Sequence, residues 1–412
     1  MKPQRFAAKA RAQSGQTLVL FVFFIIVLLL FVGLAVDLGF AYVTKAQLAK
    51  ALDAAALTGA RNIGDAQVNS IVRSTFAMNY GRPGRDTAAV TPTVQIVTVG
   101  TQRRLQVAAT TTINTFFIRI LPNWRTLTVA ANAEAIRNRV VMSIILDKSG
   151  SMIYNGGCAA LPWSTDAFVN LFDDNVDKAA LVTFATVPNT PITMRRPFKA
   201  PISTAAHSIS CDGSTFMQGG LQQGYDQILT EPVAAGDSVL RVAVFFTDGL
   251  ANTVQETLTC PTSRLMNFGG NAPTEGTTIA FSDPTTGATL CSGNGSTPDT
   301  PVNPTGCGCS ATTFRAADGS MKTFTRRNIS TEAQNRTLTL ANQMRSAGIV
   351  VYTIGLGSNV DRPFLRNLAN SPDAPNYNNG QPSGIAVFPA TAAQITGAFQ
   401  TIASDILGRL TQ

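Results

Sequence analysis

Between Leu18 and Val36 the chain carries no charged side chain and no proline. As an α-helix that run is about 28 Å long, close to the hydrocarbon thickness of a bilayer. Its surface is apolar all round, which suits lipid better than one face of a protein core. The pattern then changes to an Ala-rich stretch at Asp53–Ala60, which predicts a helix. Further on, 93–99, 104–110 and 125–130 alternate and are rich in β-branched residues, so they predict antiparallel strands. A turn cluster, Tyr80-Gly81-Arg82-Pro83-Gly84, precedes them.

Beyond residue 139 the apolar positions come in short unbroken runs. Val141–Leu146, Lys178–Phe184, Val242–Phe246, Ile349–Gly357 and Ile385–Phe388 predict buried strands. Helical spacing lies between them at Ser164–Phe172, Phe216–Leu229, Thr331–Ser346 and Ala392–Leu410. Strands alternating with helices predict an α/β, doubly wound, Rossmann-like sheet with helices on both faces. Residues 251–329 break the pattern and are rich in Gly, Pro, Thr, Ser and Asn. They predict a long, loop-rich insertion with little regular structure, serving as a binding loop or a solvated spacer. The expected organisation is therefore a basic tail (1–15), a membrane anchor with the Ala-rich helix (16–61), a small β module (62–138) and an α/β domain (139–412).

Candidate chemistry begins where the first buried run ends, at Asp147-Lys148-Ser149-Gly150-Ser151. A carboxylate and two hydroxyls at alternate positions can turn three oxygens to one point, and hard divalent cations bind oxygen. The stretch resembles the Asp-x-Ser-x-Ser loop of the metal-ion-dependent adhesion site in von Willebrand factor type A domains. Asp212–Leu221 resembles that family's second loop, with Thr215 in the matching place. Thr247-Asp248-Gly249, after another buried run, resembles the third and puts Asp248 beside the metal. The resemblance implies a divalent cation, magnesium with calcium or manganese as alternatives. Asp147, Ser149, Ser151, Thr215 and Asp248 would hold it, and an acidic group of a partner protein would complete its shell.

The front of the chain carries a second resemblance. The run Gly33-Leu34-Ala35-Val36-Asp37-Leu38-Gly39 carries the end of the apolar span into polar sequence and leads to Asp53–Ala60. This order of features, over residues 14–61, resembles the N-terminal segment of bacterial TadE/TadG-like pilus-assembly proteins. The apolar run is longer than a signal-peptide core, and no clean small-x-small site follows it. Gly15-Gln16 stands where prepilin peptidases cut, but Leu20 replaces the usual Glu, which favours an uncleaved anchor. Lys2, Arg5, Lys9 and Arg11 precede the span with no acidic residue, so the N-terminus is expected in the cytoplasm. The expected location is the bacterial inner membrane, single-pass, with the C-terminal domain periplasmic or extracellular.

The net charge of +8 would suggest a nucleic-acid partner, but four basic residues sit in the first eleven and the rest are dispersed. No nucleic acid is expected. Six cysteines, all beyond the span, predict disulfides in an exported domain. If the two metal loops converge as the type A resemblance implies, Cys158 and Cys211 are neighbours and form the preferred pair. Pairing of Cys260, Cys291, Cys307 and Cys309 stays open, with zinc binding around Cys307-Gly308-Cys309 as the alternative. His207 is the only histidine, and there is no Gly-x-Ser-x-Gly elbow, so a hydrolase lacks its usual parts.

Together the resemblances imply a non-enzymatic envelope protein of tight-adherence pilus assembly that binds a protein partner through a divalent cation. A surface adhesin using the same site without a pilus role is the alternative. A metal-dependent hydrolase is the weaker third reading.

Overall fold

The protein is described from a computed structural model covering residues 14–63, 66–81, 89–99, 102–233, 239–260, 262–270 and 278–410. The basic head and most of the turn cluster at 80–84 lie outside the described residues. The chain divides into two compact units. The first holds residues through Ala60 with Ala66–Val97 and Arg104–Ala135, and the second holds chiefly Ile136 onward.

In the first unit, α1 (Ser14–Arg61) runs unbroken from the apolar span into the Ala-rich stretch. The side chains of Leu18–Val32 stay largely exposed along the span. Beyond it one stripe turns inward: Thr44, Leu48, Ala51, Leu52, Ala55, Ala56 and Ala60 are buried at helical spacing. Helix α2 (Val68–Asn79) adds Val72 and Phe76. The strands β1 (Thr93–Val99), β2 (Gln102–Asn114) and β3 (Thr126–Arg137) form a sheet in that order. Gly59 lets α1 approach closely, since a Cβ there would lie 2.4 Å from both Leu105 and Val72 side chains.

The second unit opens with β4 (Arg139–Asp147), buried along its whole length. The short α3 (Ser151–Tyr154) and then α4 (Gly157–Val169) follow. Helix α4 starts seven residues before the predicted Ser164, because Gly157 and Pro162 read as breakers. Pro162 lies inside the helix, where it removes one ladder bond while its ring joins the buried face. Next come β5 (Lys178–Phe184), β6 (Pro188–Arg195), α5 (Lys199–Ala206), α6 (Met217–Leu229) and β7 (Val239–Thr247).

The chain then enters the segment of irregular composition, which holds more order than its composition predicts. Strands β8 (Thr253–Leu258), β9 (Arg264–Gly270), β10 (Thr278–Ser282) and β11 (Thr289–Asn294) form a four-stranded antiparallel sheet. A hairpin of β12 (Thr313–Arg315) and β13 (Met321–Thr323) follows. Phe268, Phe281, Phe314 and Phe324 are buried together, with centroid separations from 5.1 Å to 6.0 Å. This aromatic cluster is continuous with the core on one face of the main sheet. The expectation of little regular structure therefore fails: four phenylalanines, widely spaced in sequence, supply a core that no local periodicity reveals.

After it come α7 (Arg326–Ser346), β14 (Val350–Gly355), α8 (Arg362–Ala369), β15 (Ala386–Val387) and α9 (Ile395–Arg409). Helix α7 begins five residues before the predicted start because Thr325 caps it, accepting a hydrogen bond from Asn328 N at 3.1 Å.

The main sheet runs β15-β14-β7-β4-β5-β6. Counted in chain order within this sheet, that is the doubly wound order 3-2-1-4-5-6 reversed end to end. All pairs are parallel except β5 with the edge strand β6. Alternate residues of β4 serve opposite faces. Val141 and Ile145 pack with α6, while Val140, Met142, Ile144 and Leu146 pack with α4 and α9. The α/β fold expected from the run of buried strands is the fold observed.

Because the insertion shares this core, Phe324→Ala should destabilise the full-length protein in detergent by about 3–5 kcal/mol. Denaturant titration checks this, and an unchanged midpoint would mean the insertion is a detached spacer.

Candidate metal centre

Asp147 ends β4 and Asp248 follows β7, so both carboxylates leave the carboxyl edge of the sheet. These two strands are neighbours, and the connections that follow them run to opposite sides, which makes this the topological switch point. Parallel pairing from Arg139↔Val239 to Leu146↔Phe246 sets the height of the two strand ends.

Hydrogen bonds close three loops around this point. Asp147 Oδ1 accepts from Ser149 N at 2.7 Å, and Asp147 Oδ2 accepts from Thr247 Oγ1 at 2.6 Å. Ser149 Oγ and Ser151 Oγ are 3.1 Å apart. Ser151 Oγ donates to Asp248 Oδ1 at 2.6 Å, and Asn155 Nδ2 donates to Asp248 Oδ2 at 2.7 Å. Thr215 joins through the backbone: its N donates to Asn252 Oδ1 at 2.8 Å, and its carbonyl accepts from Asn252 N at 3.3 Å. A Cβ added to Gly249 would stand 3.5 Å from Ser151 Oγ and 3.8 Å from Thr215 Oγ1, so glycine keeps this space open.

The first two loops are also stitched to each other. Gly150 N donates to Gly213 O at 3.0 Å, and Asp212 N donates to Lys148 O at 2.9 Å. Gly213 has φ +86°, and a side chain there would collide with Thr186. Cys158, at the start of α4, is disulfide-bonded to Cys211 with Cα atoms 6.2 Å apart. The bond closes a chain separation of 53 residues, worth about 4 kcal/mol in the chain-entropy account.

The structure thus brings Asp147, Ser149, Ser151, Thr215 and Asp248 to one place. Sequence reasoning did not single out Thr247, Asn155 or Asn252, which orient these groups. Thr247 stood next to Asp248 at a strand end, a readable signal. Asn155 and Asn252 had none, because their partners are 93 and 37 residues away.

The electrostatics follow from burial. Asp147, Ser149, Thr215 and Asp248 are all at most 1% exposed. Burial, and then the charge of Asp248, push the Asp147 carboxyl up to about 7. Burial likewise raises Asp248, against the hydrogen bonds from Ser151 and Asn155. Two buried like charges need a proton or a cation between them. Two carboxylates and three hydroxyls are oxygen donors of the kind a hard divalent cation takes. Among the described residues no group of three or more His, Cys, Asp or Glu could hold a metal ion, so the candidate centre depends on its hydroxyls beside the two carboxylates.

The zinc alternative falls, because Cys260 is bonded to Cys309 and Cys291 to Cys307. Both cysteines of the Cys-x-Cys pair are thus engaged in bonds. His207 lies at the end of α5, with Nε2 2.9 Å from Asp166 Oδ2 and its ring edge-on to Trp163.

Comparisons with known proteins give the following. Residues 15–62 match the family model described as putative Flp pilus-assembly TadE/G-like. No curated protein matches the chain. Among solved structures, the pilus adhesin SpaC from Lactobacillus rhamnosus GG, in its open conformation, is 13% identical with a TM-score of 0.42. That match covers 80% of this chain and 35% of SpaC, so the chain spans about a third of that protein. The vWF domain of the type V pili tip protein Mfa5 from Porphyromonas gingivalis is 17% identical (TM-score 0.43), covering 67% of this chain and 97% of that one. A von Willebrand factor type A protein from Catenulispora acidiphila is 12% identical (TM-score 0.36), covering 79% and 52%.

The raised Asp147 fixes a pH dependence. An unfolded aspartate titrates near 3.9, so between about pH 4 and 7 the cation-free folded state holds the extra proton. Stability should then fall as pH rises through that window, by at most about 1.4 kcal/mol per pH unit. Thermal melts of the full-length protein in chelating buffer should show this fall, and saturating magnesium should remove it. A flat profile without cation, matching that of Asp147→Asn, would contradict the raised pKa.

Proposed function

We propose that the protein is a membrane-anchored, non-enzymatic component of tight-adherence pilus assembly that captures a protein partner through a divalent cation. The observation that carries this reading is the convergence of Asp147, Ser149, Ser151, Thr215 and Asp248 at the switch point of the sheet. The pilus assignment is supported by the family match over residues 15–62. Helix α1 is long and apolar enough to cross a membrane. The basic residues ahead of it support a cytoplasmic N-terminus, which would place the second unit outside the inner membrane.

Asp147 would supply the main negative charge, held in orientation by Thr247 and the Ser149 amide. Ser149 and Ser151 would give neutral oxygens, and Thr215 and Asp248 would approach from the other two loops. A bound cation, magnesium foremost, supplies a Lewis-acidic position that an acidic side chain of a partner can fill. The protein's own part is to keep that position fixed and open. The loop-to-loop hydrogen bonds and the Cys158–Cys211 bond hold the geometry, and Gly249 leaves the cleft clear. Neutral hydroxyls leave the bound cation more net positive charge than a cage of carboxylates would. With Asp147 and Asp248 balancing the charge of a divalent cation, an anionic partner group would be held by the cation's open coordination position.

Affinity capture from envelope extract, using the full-length protein in detergent with magnesium or with chelator, tests the reading. Pilus-assembly or other envelope proteins should be retained with magnesium and lost with chelator. An identical retained set in both conditions would reject cation-dependent capture. In a deletion strain, loss of pili supports the assembly role, whereas intact pili with lost adhesion would point to a surface adhesin.

A further inference from the structure

The turn from Thr115 to Arg125, joining β2 to β3 in the first unit, has an apolar surface. Phe117, Ile120, Leu121 and Trp124 are 50%, 78%, 54% and 49% exposed. Four large apolar side chains within eight residues, all in water, would be an unusual surface. The turn also carries Arg119 and Arg125, and no acidic residue occurs from Thr115 to Ala133.

Its position is fixed by α1. Asp37 is 2% exposed, and its carboxylate caps the turn. Asp37 Oδ1 accepts from Phe116 N at 2.8 Å, and Oδ2 accepts from Phe117 N at 2.8 Å and Ile118 N at 2.9 Å. One helical turn earlier, Gly33 lies against Phe117: a Cβ on Gly33 would be 2.6 Å from Phe117 Cβ. Gly33 belongs to the uncharged span and stands three residues before its end at Val36, about 4.5 Å inside the apolar boundary. Phe117 is thus held at the level where the span meets the polar layer.

We propose that this turn is a lipid-binding element, seated in the interfacial layer of the bilayer that α1 crosses. The proposal rests on the reading of α1 as a membrane span. Phe117, Ile120, Leu121 and Trp124 bury apolar area at the acyl boundary, and Trp is a side chain suited to that depth. Arg119 and Arg125 add attraction for anionic lipid phosphates. Asp37 and Gly33 act as the fixture, one by hydrogen bonding and the other by allowing close approach. The element would add a second membrane contact beside the helix, limiting how far the first unit can tilt or rotate. A second copy of the chain could also cover such a face. Continuity with the span, the flanking arginines and the absence of acid favour lipid.

The chain has two tryptophans, so Trp163→Phe leaves Trp124 as the sole reporter. The full-length variant is reconstituted in vesicles of zwitterionic and anionic phospholipid, with or without bromine near the carbonyl end of the acyl chains. Trp124→Phe, which keeps Trp163, sets the signal of a tryptophan outside the turn. Trp124 emission should be blue-shifted, poorly quenched by aqueous acrylamide, and mostly lost in brominated vesicles. Emission that brominated lipid leaves intact overturns the proposal. Strong acrylamide quenching would then put the turn in water, and weak quenching would mean that protein covers it. Flotation separates the two layers of the argument: failure to float with vesicles defeats the span and this proposal together. Flotation without bromolipid quenching defeats the proposal alone.

Discussion

Two carboxylates that must share a buried space set the terms for the second unit. Asp147 and Asp248 leave adjacent strands at the same edge, and each is at most 1% exposed. Ionised together without a counter-charge, they would bear both desolvation and mutual repulsion. The surrounding hydrogen bonds fix this arrangement and offset only part of that cost, since both carboxyls stay raised. Parallel register between β4 and β7 aligns the strand ends, Thr247 and Asn155 each commit a carboxylate oxygen, and Ser151 bridges the two strand ends. A site stabilised this firmly in a charge-deficient state is a site prepared for a proton or a cation.

Covalent bonds act in the same direction. Cys158–Cys211 ties the helix after the first loop to the segment before the second, so the loops cannot separate without straining α4. The other two disulfides, Cys260–Cys309 and Cys291–Cys307, brace the inserted sheet and its connections. That insertion leaves the chain a few residues after Asp248, with Asn252 already engaged by Thr215. Its aromatic core merges with the main core, which makes it part of the rigid framework around the third loop.

Much of this was legible in the sequence, for identifiable reasons. Strands buried on both faces are unbroken apolar runs, and the run 178–184 matches β5 end to end. Asp147, Ser149, Ser151 and Asp248 lay at or just past strand ends, and Thr215 just ahead of α6, where carboxylates and hydroxyls have a local context. The inserted sheet was not legible, because its short strands mix Gly, Thr and Ser with apolar residues, and its core gathers Val254, Leu258, Met266 and Ile279 with four phenylalanines scattered along the chain. The start of α4 was hidden by Gly157 and Pro162. Asn155 and Asn252 were invisible because they matter only through partners distant in sequence. Asp37 stands in the sequence only as one residue of the run from Gly33 to Gly39, and its role in capping a turn 79 to 81 residues away appears only in three dimensions.

The central claim is that the buried carboxylate pair exists to hold a divalent cation. Calorimetric titration of magnesium into the full-length protein and into Asp147→Ala tests it most directly, with melting profiles to show that both are folded. The account predicts saturable binding at one site in the parent protein and none in the variant, since the change removes the main anionic ligand while leaving the fold intact. Equal affinity in the two proteins would contradict it.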